Sequence, residues 1–181
     1  MLWHSIQHKL ADIDNSQFSV ANNRPVVYID TQHQLLCCVS ERDSVTQYYP
    51  VSTSRFGLGQ QQGSFKTPGG IHRIAQKIGA DEPLGRVFKS RVPADDICLA
   101  EDFSAEDDDV ITSRILWLEG LQPGLNRGAE VDTYQRYIYI HGTADEAHIG
   151  QPASIGCIRM RNMDVISLFD LLEVGDLVVI E

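Results

Sequence analysis

From residue 25 onward the chain consists of short β-branched and aromatic runs, each closed by a turn, and this pattern confines it to a mainly-β fold. Pro25-Val26-Val27-Tyr28-Ile29 reads as a strand and Asp30-Thr31-Gln32 as a turn. Gln34 to Ser40 then reads as the return strand of a hairpin, and Val45 to Val51 as the strand after it. Residues 71–78, 113–118, 137–140 and 177–180 carry the same signal. Gly57 to Gly70 is rich in Gly, Gln and Ser and ends in Thr67-Pro68-Gly69-Gly70, the chemistry of a loop closing in a tight turn. Gln122 to Val131 is a second connection containing Gly and Pro. Asn162 is the expected cap of a helix in which Val165, Leu168, Phe169 and Leu172 fall on one face, with Gly175-Asp176 ending it. A short amphipathic helix is expected over residues 3–12, with Trp3, Ile6 and Leu10 on one side. No internal repeat, low-complexity tract or linker interrupts the chain. The expectation is a helical extension over residues 1–24 packed on one mainly-β domain over residues 25–181, with a few short helices.

The 181 residues suffice for one domain with a real core, and 43% apolar with 22% charged residues is ordinary for a globular protein. A formal charge of −10 repels phosphate backbones and anionic bilayers, so neither nucleic acid nor a membrane is an expected partner. The first residues, MLWHSIQHKLADIDNSQF, lack a basic segment followed by an apolar run, and with Met1 as the start the expected location is cytoplasmic. Of the four cysteines, Cys37 and Cys38 are adjacent in an apolar run and read as buried small hydrophobes pointing to opposite faces of a strand. No CxxC pair is present. The acidic stretch Glu101 to Asp109 matches no calcium loop and reads as a solvated surface segment.

One segment carries chemistry. The apolar strand Tyr139-Ile140 delivers His141 and Gly142-Thr143; after a polar loop the chain reaches Ser154-Ile155-Gly156-Cys157-Ile158-Arg159. A thiol near its free pKa is only a few per cent thiolate at neutral pH, and a neighbouring imidazole raises that fraction through an ion pair. Gly142 lets the backbone bend after the histidine, and Gly156 lets a carbonyl approach the sulfur. Backbone N–H groups of Gly156 and Cys157 are candidates to hold an oxyanion, and the Gly142 carbonyl is a candidate to orient the imidazole. Each residue also has an ordinary use: a cysteine beside glycine is often packed, and a histidine at a strand end is often simply hydrogen-bonded. A metal reading with His141, His148 and Cys157 lacks a fourth ligand and a matching signature. No cofactor is expected.

The His-Gly pair followed by Ser-x-Gly-Cys-Ile-Arg resembles the signature of the L,D-transpeptidase (YkuD) catalytic domain. Tyr49-Pro50-Val51-Ser52-Thr53 and Ser64-Phe65-Lys66-Thr67-Pro68-Gly69-Gly70 resemble further family elements, so the likeness extends over roughly residues 25–180. It implies a single-domain β-sandwich or flattened barrel. It also implies attack by the Cys157 thiol on the bond between the third residue of a peptidoglycan stem peptide and a terminal D-Ala, with His141 as base and a thioester intermediate. Ser154, Gly156 and Arg159 match the motif around the nucleophile, and these, with Tyr139 and Thr143, are the residues expected against the substrate. Carbapenem-type inhibitors acylate this thiol in many family members. One position departs from the pattern: Ile155 stands where many members have histidine.

The expected partner is a tetrapeptide muropeptide. In a cytoplasmic setting the natural acceptor is water, giving an L,D-carboxypeptidase of muropeptide recycling. The alternatives are an L,D-transpeptidase that cross-links stems or exchanges D-amino acids, a silent stem-binding module, and a general cysteine peptidase. Arg159 is expected either to bind a substrate carboxylate or to sit in a structural ion pair.

Overall fold

A computed structural model describes His8 and residues 24–39, 45–104 and 110–181. Apart from His8 and Arg24, the expected N-terminal extension lies outside the described residues, as does most of the acidic stretch; Glu101 and Asp102 form part of an exposed 3-10 turn, Ala100–Asp102.

Ten strands make one curled sheet, a flattened half-barrel. In chain order they are β1 (Val26–Asp30), β2 (Leu35–Val39), β3 (Val45–Pro50), β4 (Gly70–Ile78), β5 (Arg86–Lys89), β6 (Val92–Ile97), β7 (Ile111–Gly120), β8 (Tyr139–Thr143), β9 (Ile158–Met160) and β10 (Leu177–Ile180). The spatial order is β3-β2-β1-β10-β4-β7-β5-β6. β7 organises the sheet. It pairs with β4 and, at its beginning, with β5, while it also pairs with β8, which in turn pairs with β9.

The β1–β2 hairpin turns where expected, because the Asp30 carboxylate accepts the backbone N–H groups of Gln32 and His33 at 3.0 and 2.9 Å. Alternation then places neighbouring side chains on opposite faces: Cys38 joins the central core and Cys37 a second cluster behind the sheet. The central core gathers Val27, Ile29, Leu116, Leu118, Ile140, Ile158 and Met160 from the sheet against Val165, Leu168 and Phe169 of helix α1 (Asn162–Leu171). A third cluster, Phe88, Ile115, Trp117 and Tyr139, lies at the other face of β7 and β8 and packs against Cys157.

Three expectations change. Tyr137 does not begin a strand; its φ of +58° places it in the turn before β8. Asn162 does not cap α1 but opens its first turn, and its backbone N–H donates to the Glu146 carboxylate at 2.8 Å, so the cap comes from another part of the chain. The helix ends at Leu171, before Gly175, whose φ of +98° serves the turn into β10. The β5–β6 hairpin is an addition, and its two-residue turn, Ser90-Arg91, has φ of +50° and +68°. Among the described residues no helix is long and apolar enough to cross a membrane.

Candidate active site

β8 and β9 run parallel, with Ile140 opposite Ile158 and His141 opposite Arg159. Since Ile140, Ile158 and Met160 face the central core, alternation turns Tyr139, His141 and Arg159 to the other side. Cys157 precedes β9 by one residue and so stands level with Tyr139. Strand spacing and rise put the His141 and Cys157 Cα atoms on the order of 8 Å apart on one face, a separation that an imidazole and a thiol can bridge.

The sulfur sits between two backbone groups. The Tyr139 N–H donates to Sγ at 3.4 Å, a contact that favours the thiolate; the Tyr137 carbonyl lies 3.5 Å away and accepts from the protonated thiol. Cys157 is half-buried, whereas His141 is fully buried. His141 Nδ1 is 2.7 Å from the Gly142 carbonyl oxygen. A carbonyl only accepts, so Nδ1 carries the proton and Nε2 the lone pair. The role of Gly142 differs from the expected bend. A Cβ there would lie 2.6 Å from the Thr112 carbonyl oxygen and 2.8 Å from Asn162 Oδ1, so the glycine allows β7 and α1 to close on β8.

The thiol loop is held by side chains that sequence placed in part. Ser154 is fully buried; its hydroxyl donates to the Cys157 carbonyl at 2.6 Å and accepts the Gly156 N–H at 3.2 Å. Ser154 therefore shapes the loop instead of meeting substrate, and the Gly156 N–H is engaged within the loop, which removes it from the expected oxyanion donors. Gly156 itself has φ of +134°, open to glycine and strained for other residues. Its carbonyl accepts from the Thr67 hydroxyl at 2.9 Å, a tie across the fold that no local pattern signals.

Arg159 takes the structural alternative: it is nearly buried, with its guanidinium 3.4 Å from Asp145. His148 pairs with the same carboxylate at 2.7 Å. Thr143 is buried, its hydroxyl accepting the Asp145 N–H at 3.1 Å and its carbonyl accepting from Asn162 at 2.9 Å. Among the described residues no cluster of His, Cys, Asp and Glu is placed to hold a metal.

Arg136 and Arg91 add what sequence reading missed. Arg136 donates to the carbonyls of Gly59, Gln60 and Lys66 at 3.1, 2.7 and 2.6 Å, binding the Gly-rich loop to the turn beside the sulfur. Burial pushes its guanidinium below the ordinary arginine value, and the negative charge of Cys157 pulls it back up. Arg91 lies over Trp117 and Tyr137, 5.0 and 4.9 Å from the ring centroids. Phe65, Tyr137 and Ile155 expose apolar surface around a hollow of about 190 Å³ that Arg136 and Ile138 also line. Ile155, the departure from the family pattern, is thus part of the wall.

The sequence pattern of the L,D-transpeptidase catalytic domain, YkuD, matches residues 24–180. The chain belongs to the YkuD family. L,D-transpeptidases of the YkuD family are cysteine acyl-transfer enzymes. Solved structures agree in fold. An L,D-transpeptidase from Xylanimonas cellulosilytica is 18% identical, with TM-score 0.55, covering 91% of this chain and 63% of its own. L,D-transpeptidase 3 from Mycobacterium tuberculosis, in complex with a faropenem-derived adduct, is 13% identical with TM-score 0.53, covering 88% and 60%. An L,D-transpeptidase from Mycobacterium smegmatis is 15% identical with TM-score 0.51, covering 88% and 59%. The chain thus spans about three fifths of the length of these structures. No curated protein sequence matches it. In this YkuD domain the fold's β8–β9 edge is where the His-Gly and Ser-x-Gly-Cys segments meet.

Proposed function

We propose that the chain is a cysteine acyl-transfer enzyme acting on peptidoglycan stem peptides, with Cys157 as nucleophile and His141 as base. The observation that carries this reading is the shared face of β8 and β9, with the His141 ring fixed through Nδ1 so that Nε2 is the basic nitrogen. In the proposed reaction His141 Nε2 takes the thiol proton as Sγ attacks the carbonyl carbon of the stem's third residue. The tetrahedral oxyanion collapses, the C–N bond breaks, and the imidazolium returns its proton to the departing D-Ala amine. A thioester on Cys157 remains. Water then attacks, His141 again taking a proton and returning it to sulfur, and a tripeptide stem leaves.

Water is the acceptor in this reading, so that only one stem need be seated at the thiol. The test is incubation with a disaccharide tetrapeptide, with and without D-Met, followed by mass spectrometry. Loss of D-Ala alone supports hydrolysis; incorporation of D-Met replaces the acceptor with an amine and makes the protein a transpeptidase; binding without turnover makes it a stem-binding module. The faropenem-derived adduct of the M. tuberculosis structure suggests a second readout. Incubation with faropenem should add mass to the protein and none to Cys157→Ala.

A further inference from the structure

The chain has a formal charge of −10, and Arg24, Arg73, Arg86 and Arg159 each meet a carboxylate. Among the described residues Arg91 meets none; its partners there are the Tyr139 hydroxyl, at 3.2 Å, and the rings of Trp117 and Tyr137. Those two tyrosines are the residues whose backbone groups bracket the Cys157 sulfur, Tyr139 through its N–H and Tyr137 through its carbonyl. The guanidinium is therefore one side chain away from the reacting centre. It gets there from a turn whose two central residues, Ser90 and Arg91, both hold positive φ, at +50° and +68°, where two-residue hairpins ordinarily use Asn or Gly. On the sulfur's other flank Arg136 is held by backbone carbonyls, again with no carboxylate partner among the described residues. The mouth of the site is thus a positive, aromatic-walled spot on an acidic protein, and an Arg fork over aromatic faces is well shaped for a planar anion.

We propose that Arg91 binds the terminal carboxylate of the donor peptide, so that the enzyme requires a free C-terminus one residue beyond the attacked carbonyl. The assignment rests on the acyl-transfer reading above and sharpens its substrate class to peptides ending in a free carboxylate. It also gives the role once open to Arg159, now paired with Asp145, to a residue in a hairpin far away in sequence.

A stem carries more than one carboxylate, so the test separates them. Binding of three probes to the Cys157→Ala protein is measured by calorimetry: a stem tetrapeptide with diaminopimelate, its C-terminal amide, and the same peptide amidated at the diaminopimelate side chain. The free acid should bind roughly 10- to 100-fold tighter than the C-terminal amide, and side-chain amidation should leave binding unchanged. In Cys157→Ala/Arg91→Met, which keeps the aliphatic stem on the rings, the preference should vanish while the amide still binds; Arg91→Lys should keep part of it. Equal binding of acid and amide, or equal weakening of both by Arg91→Met, would show that Arg91 only holds the aromatic wall. A preference that follows the side-chain carboxylate, or no binding of any probe, overturns the assignment as well. Turnover of the tetrapeptide by the wild-type protein, measured separately, decides the acyl-transfer reading whatever the binding shows.

Discussion

Replacing Thr67 by valine should destabilise the protein more than replacing it by serine, although valine is the better mimic of its shape. Thr67 is buried, and its hydroxyl does two things at once. It donates to the Gly156 carbonyl at 2.9 Å and accepts the Ser54 N–H at 3.0 Å. Valine leaves both backbone groups buried and unpaired. Each orphaned group costs roughly 1–3 kcal/mol, so Thr67→Val should lose about 2–6 kcal/mol. Serine keeps both hydrogen bonds and removes one methyl, a loss of about 1 kcal/mol. For a chain of this length 1 kcal/mol moves the melting temperature by about 2–4 °C, so the valine variant should melt on the order of 10 °C lower and the serine variant only a few degrees lower. Because the lost bond ends on Gly156, next to the proposed nucleophile, kcat/KM should fall further in Thr67→Val than in Thr67→Ser. Thermal melts and urea titrations of the three proteins, with tetrapeptide kinetics, make the comparison. Should valine prove as stable as serine, the polar tie is not what holds the thiol loop, and methyl packing would be.

Cys157→Ala should abolish turnover of the tetrapeptide and leave the melting temperature within a few degrees of wild type; activity near wild type would sink the assignment of the nucleophile. Gly142→Ala should destabilise by about 1–3 kcal/mol and depress kcat/KM more than stability alone explains, since a Cβ 2.6 Å from the Thr112 carbonyl must displace the backbone that orients His141; an alanine variant of unchanged stability and activity would refute the close-packing account. Burial pushes the His72 imidazole down to about 3 from an ordinary 6.5. The unfolded chain therefore takes up a proton there between about pH 6.5 and 3 that the folded chain does not. Stability should drop as pH falls through that window by about 1.4 kcal/mol per pH unit from this group, and urea titrations of His72→Gln should show a shallower acid limb; an unchanged limb would mean the ring is protonated in place.

Much of the architecture was legible because it is local. The β1–β2 hairpin announces itself through β-branched alternation and Asp30, and the α1 periodicity names the residues that reach the core. β5 and β6 were illegible for a physical reason: β6 reads Val-Pro-Ala-Asp-Asp-Ile and is exposed along most of its length, so no buried face imposes a period of two. β9 has three residues, too few for any period. Cys157 and His141 stood out as a candidate pair by residue type and flanking glycines, and the β8–β9 register sets them on one face. Thr67, Arg136 and Arg91 were not, since each acts on a partner 48 to 89 residues away and carries no local signature. Arg159 stayed open between a carboxylate binder and a structural ion pair because charge and position in the motif do not reveal Asp145, which the intervening loop folds back onto it.

A proposed nucleophile one residue before a three-residue strand raises the question of what holds it still, because so short a strand makes few hydrogen bonds of its own. The register with β8 fixes one edge. On the other side the Arg159 N–H donates to the Ser52 carbonyl and the Ser52 N–H to the Arg159 carbonyl, both at 2.9 Å. Ser154 closes the loop on the Cys157 carbonyl, and Thr67 anchors Gly156. The sulfur is thus placed by hydrogen bonds from β8, Ser52, Thr67 and Ser154 to the backbone around it. Rigid placement of this kind is what a nucleophile needs if a misplacement of about 1 Å costs on the order of 100-fold in rate. It also means that variants at Thr67 or Ser154 should lower activity without either side chain touching the substrate, and that such losses should track with loosening of the thiol loop and not with a change in which peptide is cleaved.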